Sequence, residues 1–155
     1  MANCFLILGL ILIDQISKFF VTVYLKPVGS VAVLDRILNF TYVENTGIAF
    51  GMLKDMQFLV IPLTLVITAV LVYLMLKAGK RNMLKLNCSL AVIISGAVGN
   101  IIDKIFKGYV VDFIEFGFFD FPVFNFADIC VTLGAIAFAA IIIFTEDGEF
   151  FADKK

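Results

Sequence analysis

Four long apolar runs dominate the chain, and each is long enough to cross a bilayer as a helix, which takes about 20 residues. They are Cys4 to Leu25, Phe58 to Leu76, Leu86 to Phe106 and Phe126 to Phe144. The first is interrupted by Asp14, Gln15, Ser17 and Lys18, and the second is uncharged with Pro62 near its start. The third carries Asn100 and Asp103 towards its end, and the fourth carries Asp128 towards its start. Thr145-Glu146-Asp147-Gly148 then ends the hydrophobic sequence. Between the first two runs, Ser30 to Leu34 and Ile37 to Val43 are rich in β-branched and aromatic residues, which suits strands. Asp35-Arg36 and Asn45-Thr46-Gly47 suit turns. The pattern predicts an all-α polytopic membrane protein with four transmembrane helices and a small β-rich region on the outer surface. With no internal repeat and no low-complexity linker, residues 1–155 read as a single domain.

The link from Lys77 to Lys85 is short and purely basic, so the positive-inside rule puts it in the cytoplasm. Both termini are then cytoplasmic by parity, and Lys26 to Gln57 and Lys107 to Asn125 are outer loops. The acidic tail opposes this only weakly, because acidic residues count little in the rule. The first run lacks a basic leader and a small-residue cleavage site, so it reads as a retained helix.

Composition narrows the chemistry. Hydrophobic residues make up 62% of the chain, against about 45–50% for a soluble domain. A net charge of -1 gives no reason to expect nucleic acid. The chain has no His, which removes Ser-His-Asp and Cys-His nucleophiles and HExxH zinc sites. Cys4, Cys88 and Cys130 each lie in an apolar run with no CxxC pair, so they are expected as buried small hydrophobes. Neither metal nor cofactor is expected. Carboxylates, Lys, Tyr and hydroxyls remain.

Charges inside apolar runs cost free energy and each needs a reason. Asp14 and Lys18 are spaced i,i+4 and can pair, either simply neutralising each other or buttressing a polar site. Gly96, Gly99, Asn100 and Asp103 fall close to one helix face, where small residues admit a neighbouring helix and Asn hydrogen-bonds across. Asp103 and Lys107 form a second i,i+4 pair, and Gly108 ends the helix. Asp112 and Asp128 sit where the chain leaves and re-enters hydrophobic sequence. Two close carboxylates in an apolar setting cannot both ionise cheaply. The ionised one can activate water while the protonated one polarises a carbonyl, as in aspartic proteases. The plainer reading is two interfacial acids facing water.

Five motifs in order now carry a resemblance. They are Asp14-Gln15-Ile16-Ser17-Lys18, Glu44-Asn45-Thr46-Gly47-Ile48-Ala49-Phe50, Gly99-Asn100-Ile101-Ile102-Asp103, Gly108 to Ile114, and Phe124-Asn125-Phe126-Ala127-Asp128. Together they span nearly the whole chain, which resembles the prolipoprotein signal peptidases, the type II signal peptidases of bacteria. The resemblance implies an aspartic endopeptidase with Asp112 and Asp128 as the catalytic pair. It implies a substrate pocket with Asn45, Gly47, Asn100 and Asn125, and supporting roles for Asp14, Lys18 and Asp103. Lys104 stands where the family usually has Arg, giving a point charge in place of a planar fork, directed at the substrate carbonyl or the pocket asparagines.

The implied substrates are diacylglyceryl-modified prolipoproteins, cleaved just before the lipidated cysteine. Membrane lipid and globomycin-type inhibitors are further expected partners. The expected enzyme is a monomer, multi-pass in the bacterial cytoplasmic (inner) membrane, with its active site near the outer face. A small proton- or ion-coupled transporter is the alternative, since intramembrane charges also mark ion pathways. The uncharged second run and the clustering of polar residues towards one face count against it.

Overall fold

The computed structural model of the protein describes residues 2–47, 56–145 and 150. Among these, four helices carry the architecture: α1 (Ala2–Phe20), α2 (Gln57–Lys80), α3 (Leu84–Lys107) and α4 (Phe126–Phe144). Four spans, the first reaching Leu25, are long and apolar enough to cross a membrane. α1 gets there by running on into a π-helical stretch, Val21–Leu25. α2 and α3 both extend beyond their apolar runs. Lys77 to Lys80 are helical, as are Leu84 and Lys85, so the expected basic link contracts to residues 81–83. Lysines at the end of α2 meet the partial negative charge of its last carbonyls, so they prolong the helix where the hydrophobic pattern stops.

α3 is the central helix, packed against α1, α2 and α4. More than half of its membrane-crossing window is buried, 56% against 11%, 11% and 17% for the other three. A helix lined by protein needs no lipid-facing stripe, so it can carry Ser89, Ser95, Asn100 and Asp103. The other helices turn Phe5, Leu12, Phe58, Val66 and Ile136 outwards, a surface suited to hydrocarbon. Close approach of α4 to α3 depends on glycine. A Cβ on Gly96 would collide with the carbonyl oxygen of Ala127, and one on Gly134 would stand 2.7 Å from Ile93. Of the cysteines expected inside, Cys130 is buried and Cys88 half-buried, but Cys4 is exposed. On a lipid-facing helix an apolar thiol has no reason to turn inwards.

A three-stranded antiparallel sheet, ordered β1 (Ser30–Leu34), β2 (Leu38–Asn45), β3 (Val110–Phe116), stands beside the bundle. The first two strands match the sequence reading, with Arg36 taking a left-handed turn at φ 59. The third does not. Val110 to Phe113 are buried on both faces and show no alternation, so no two-residue pattern marks this strand. β2 pairs with β3 so that Val43 lies opposite Asp112 and Asn45 opposite Val110. The other edge of β3 is covered by Phe124. Its carbonyl accepts the N–H groups of Phe113 and Ile114 at 2.9 and 2.8 Å, and its N–H returns to Ile114 at 3.0 Å. The sequence expectations on Ile48, Ala49, Phe50, Glu146, Asp147 and Gly148 lie outside the described residues.

Candidate active site

Strand pairing delivers one acid and helix capping the other. Asp112 sits in β3 with Asn45 on the neighbouring strand and, on the opposite edge, Asn125 directly after the paired Phe124. Its side chain is buried, with only 2% of the residue exposed. Asp112 Oδ2 accepts from Asn45 Nδ2 at 2.8 Å, and Oδ1 accepts from Asn125 Nδ2 at 2.6 Å. Asn125 is also the N-cap of α4. Its Oδ1 accepts the Asp128 N–H at 3.0 Å, and Asp128 Oδ2 accepts the Asn125 N–H at 3.1 Å. This is a capping box with aspartate as its third helical residue. Asp128 Oδ1 accepts from Asn100 Nδ2 at 2.8 Å. The two acids therefore flank Asn125, and all four carboxyl oxygens face N–H donors.

The amides that donate are themselves held in orientation. Asn45 Oδ1 accepts the Gly47 N–H at 2.9 Å, and Asn125 Oδ1 is taken by Asp128. Asn100 Oδ1 accepts from Lys18 Nζ at 2.9 Å and from Asn125 Nδ2 at 3.2 Å. Each NH2 group is thus aimed at an acid, not away from it. Burial pushes the Asp112 carboxyl up to about 6, the negative charge of Asp128 adds to the rise, and the Asn45 and Asn125 donors oppose it.

Behind the acids lies a buried ion cluster. Lys18, with no exposed surface, reaches Asp14 at 2.9 Å and Asp103 at 3.1 Å, and Lys107 reaches Asp103 at 2.9 Å. Both i,i+4 pairs read from the sequence form. The carboxylates also grip backbone: Asp14 Oδ1 accepts the Ala127 N–H at 3.0 Å, and Asp103 Oδ2 the Val111 N–H at 3.3 Å. These N–H groups carry no side-chain signal, so no residue pattern points to them. Gln15, inside the first motif but assigned no role, donates to Asp14 at 3.0 Å and to the Gly99 carbonyl at 3.2 Å.

A cavity of about 960 Å³ opens onto the acids, with Asn45, Gly47, Asn100, Lys104, Asp112 and Asp128 in its wall. It continues as an apolar trough lined by Ile67 and Leu71 of α2, Ile93 and Ala97 of α3, and Val131 and Leu133 of α4. Two expected substrate contacts differ in detail. Asn125 is fully buried behind the acids and not part of the wall, its donors being taken by Asp112 and Asn100. Lys104 Nζ donates to the Gly47 carbonyl at 3.0 Å and to no asparagine among the described residues. Among the described residues, no group of three or more His, Cys, Asp or Glu is arranged to hold a metal ion.

The model of the family described as Signal peptidase (SPase) II matches residues 6–144. A lipoprotein signal peptidase of Caldanaerobacter subterraneus subsp. tengcongensis is 43% identical over 134 residues, covering 86% of this chain and 90% of the relative. One of Clostridium tetani is 42% identical over 154 residues, covering 97% and 95%. Among solved structures, a bacterial membrane enzyme determined by the in meso method at 2.3 Å superposes with a TM-score of 0.83 at 30% identity, covering 99% of this chain and 93% of that one.

Proposed function

The chain belongs to the signal peptidase II family of multi-pass bacterial membrane peptidases, and on that premise we propose that it is an aspartic endopeptidase acting on diacylglyceryl-modified prolipoproteins. Asp112 and Asp128 are the catalytic pair, and the chain acts as one catalytic unit. One observation carries the reading: Asn125 donates to both acids at the polar end of an otherwise apolar cavity. An apolar trough beside the acids suits a substrate whose signal helix and acyl chains lie in lipid. The trough ends where a scissile peptide at the outer membrane face would meet water.

In this mechanism the pair holds one proton, because two neighbouring buried carboxylates resist double ionisation. The three asparagine NH2 groups offer that proton no acceptor. It is therefore directed to the partner carboxylate or to the substrate carbonyl oxygen. The ionised acid takes a proton from water, whose oxygen attacks the carbonyl carbon before the lipidated cysteine. The protonated acid polarises that carbonyl. Collapse breaks the C–N bond as the acid that took the proton from water returns it to the leaving nitrogen, and the products are the signal peptide carboxylate and a cysteine with a free amine. Lys104 and Asn45 hold Gly47 in the cavity wall, and globomycin blocks the same site.

The test is cleavage of a diacylated precursor by purified enzyme in detergent. Asp112→Asn and Asp128→Asn should each lower kcat by at least about a thousandfold, while both proteins still insert at normal levels. Normal processing by either variant removes the two-carboxylate mechanism. Cleavage that depends on an ion gradient across sealed vesicles would favour transport instead.

A further inference from the structure

We propose that Lys18 is a positioning residue for both acids at once, an assignment that rests on the two-carboxylate reading above. An ammonium has three protons to donate. Lys18 has three acceptors in reach: Asp14 Oδ2 at 2.9 Å, Asp103 Oδ2 at 3.1 Å and Asn100 Oδ1 at 2.9 Å. Each acceptor then holds one of the acids. Asp14 accepts the N–H of Ala127, the residue before Asp128. Asp103 accepts the N–H of Val111, the residue before Asp112. Asn100 donates to Asp128 itself. Two acids 16 positions apart in sequence, one on β3 and one on α4, are thus referred to a single nitrogen on α1.

The Asn100 arm gives Lys18 an effect beyond rigidity. An amide can present either its oxygen or its NH2, and an ammonium accepts neither hydrogen bond nor proton, so Lys18 commands the oxygen. The NH2 must then face Asp128. Without Lys18 that oxygen keeps the longer 3.2 Å bond from Asn125 Nδ2 but loses its charged donor, so the amide turns more readily, and a carbonyl facing the pair favours its more protonated form. The ionisable groups around this nitrogen are Asp14 on α1, Asp103, Lys104 and Lys107 on α3, Asp112 on β3 and Asp128 on α4. Of these, Lys18 is the cation within ion-pair distance of both Asp14 and Asp103. Removing it therefore acts in the same direction as turning the amide, and the acid limb of the rate moves to higher pH.

The test compares pH–rate profiles for cleavage of a diacylated precursor in detergent. Lys18→Met leaves buried carboxylates short of a partner and is at risk of misfolding. The charge-balanced Asp14→Asn/Lys18→Met chain removes one charge of each sign and keeps an oxygen for the Ala127 N–H. Asn100→Ala keeps both ion pairs and removes the arm to Asp128, together with the 3.2 Å contact from Asn125 Nδ2. The expected result in all three is a kcat lowered at least about tenfold and KM within about twofold, with the acid limb raised by about one pH unit in Lys18→Met and by about half a unit in the two charge-balanced chains, where only the amide contribution is lost. A folded double variant with wild-type kcat and profile would make Lys18 a mere counter-ion and overturn the assignment. Should the Lys18 variants not fold, an unmoved acid limb in Asn100→Ala overturns it equally. Asp112→Asn and Asp128→Asn run alongside. Activity in either one removes the two-carboxylate reading, whereas inactivity in both with wild-type Lys18 variants removes only this assignment.

Discussion

Asn125 and Asp112 are joined by a 2.6 Å hydrogen bond from the amide of the residue that also caps the helix bearing Asp128. One side chain thus has two separable duties. Its oxygen starts α4, and its nitrogen supports an acid on a strand. Asn125→Ala loses both, and should cost about 1–2 kcal/mol of stability from the cap together with most of the activity. Asn125→Ser keeps a capping oxygen but has no NH2 to reach Asp112. It should unfold within a few degrees of wild type yet cleave as poorly as the alanine variant. Thermal unfolding in detergent beside cleavage rate separates the two, and a serine variant with wild-type kcat would deny the second duty.

Asp112 ionises against its surroundings. Its carboxyl rises from an ordinary value of 3.8 to about 6, through burial first and Asp128 second. The folded chain thus binds this proton more tightly than the unfolded chain, and stability from this group falls as pH rises through roughly 4 to 6. Asp112→Asn escapes that cost at pH 7, although one of its amide hydrogens then faces a donor. The variant should be inactive and more stable than wild type by about 1–2 kcal/mol at pH 7, with the gain shrinking towards pH 4. Denaturation at both pH values decides it. A variant less stable at pH 7 than at pH 4, relative to wild type, contradicts the burial argument.

Asn45 pulls the same carboxyl the other way. Its NH2 donates to Asp112 and so favours the ionised form. Asn45→Ala should raise the acid limb of the cleavage rate by about half to one pH unit, with the pair and not either residue setting the observed value. A limb that stays still, or moves down, would show that Asn45 does not act on the acid.

Much of this arrangement was legible in the sequence and some of it could not be. Long apolar runs gave the helices, and i,i+4 spacing gave the Asp14–Lys18 and Asp103–Lys107 pairs, because both signals are local. β3 was hidden because its first residues are buried on both faces, which erases the two-residue alternation. The hydrophobic run stops at Leu76 but α2 runs on to Lys80, because helix geometry welcomes lysine at its C-terminal end. Asn125 reads from its motif as a pocket residue, yet it stands behind the acids. That depends on Phe124 pairing with Ile114 across Gly117, Asp120 and Pro122, turn residues that mark a bend without fixing which residues meet across it. The backbone grips of Asp14 and Asp103 were beyond reach for the same reason.

Gly99 stands where α3 meets the buried ion cluster. A Cβ there would lie 2.6 Å from Asp14 Oδ2 and 3.4 Å from the Ala127 side chain. Asp14 would have to move, losing its hold on Ala127 or on Lys18. Gly99→Ala should therefore destabilise the protein by about 1–3 kcal/mol and depress cleavage. Gly9→Ala on α1 is the control, since a Cβ there meets nothing within 4 Å, and it should be neutral or gain up to about 1 kcal/mol. Equal behaviour of the two substitutions would mean that the Asp14 contact is not tight.

Lys104 bears on the acids through a relay. Its Nζ donates to the Gly47 carbonyl at 3.0 Å, the Gly47 N–H donates to Asn45 at 2.9 Å, and Asn45 donates to Asp112 at 2.8 Å. Lys104→Met keeps the stem and removes the charge, leaving the buried Gly47 carbonyl without that partner. Gly47 then loosens in the cavity wall, and Asn45 loses the fixed donor that orients it. Cleavage should show KM raised and kcat lowered, each by about three- to tenfold. Lys104→Arg should restore both, because a guanidinium reaches the same carbonyl and carries further donors into the cavity. Michaelis profiles of the three enzymes on one diacylated precursor are the measurement. A methionine variant that matches wild type in both parameters would show that the hydrogen bond to Gly47 is incidental, and an arginine variant worse than methionine would show that this cavity is built around the smaller cation.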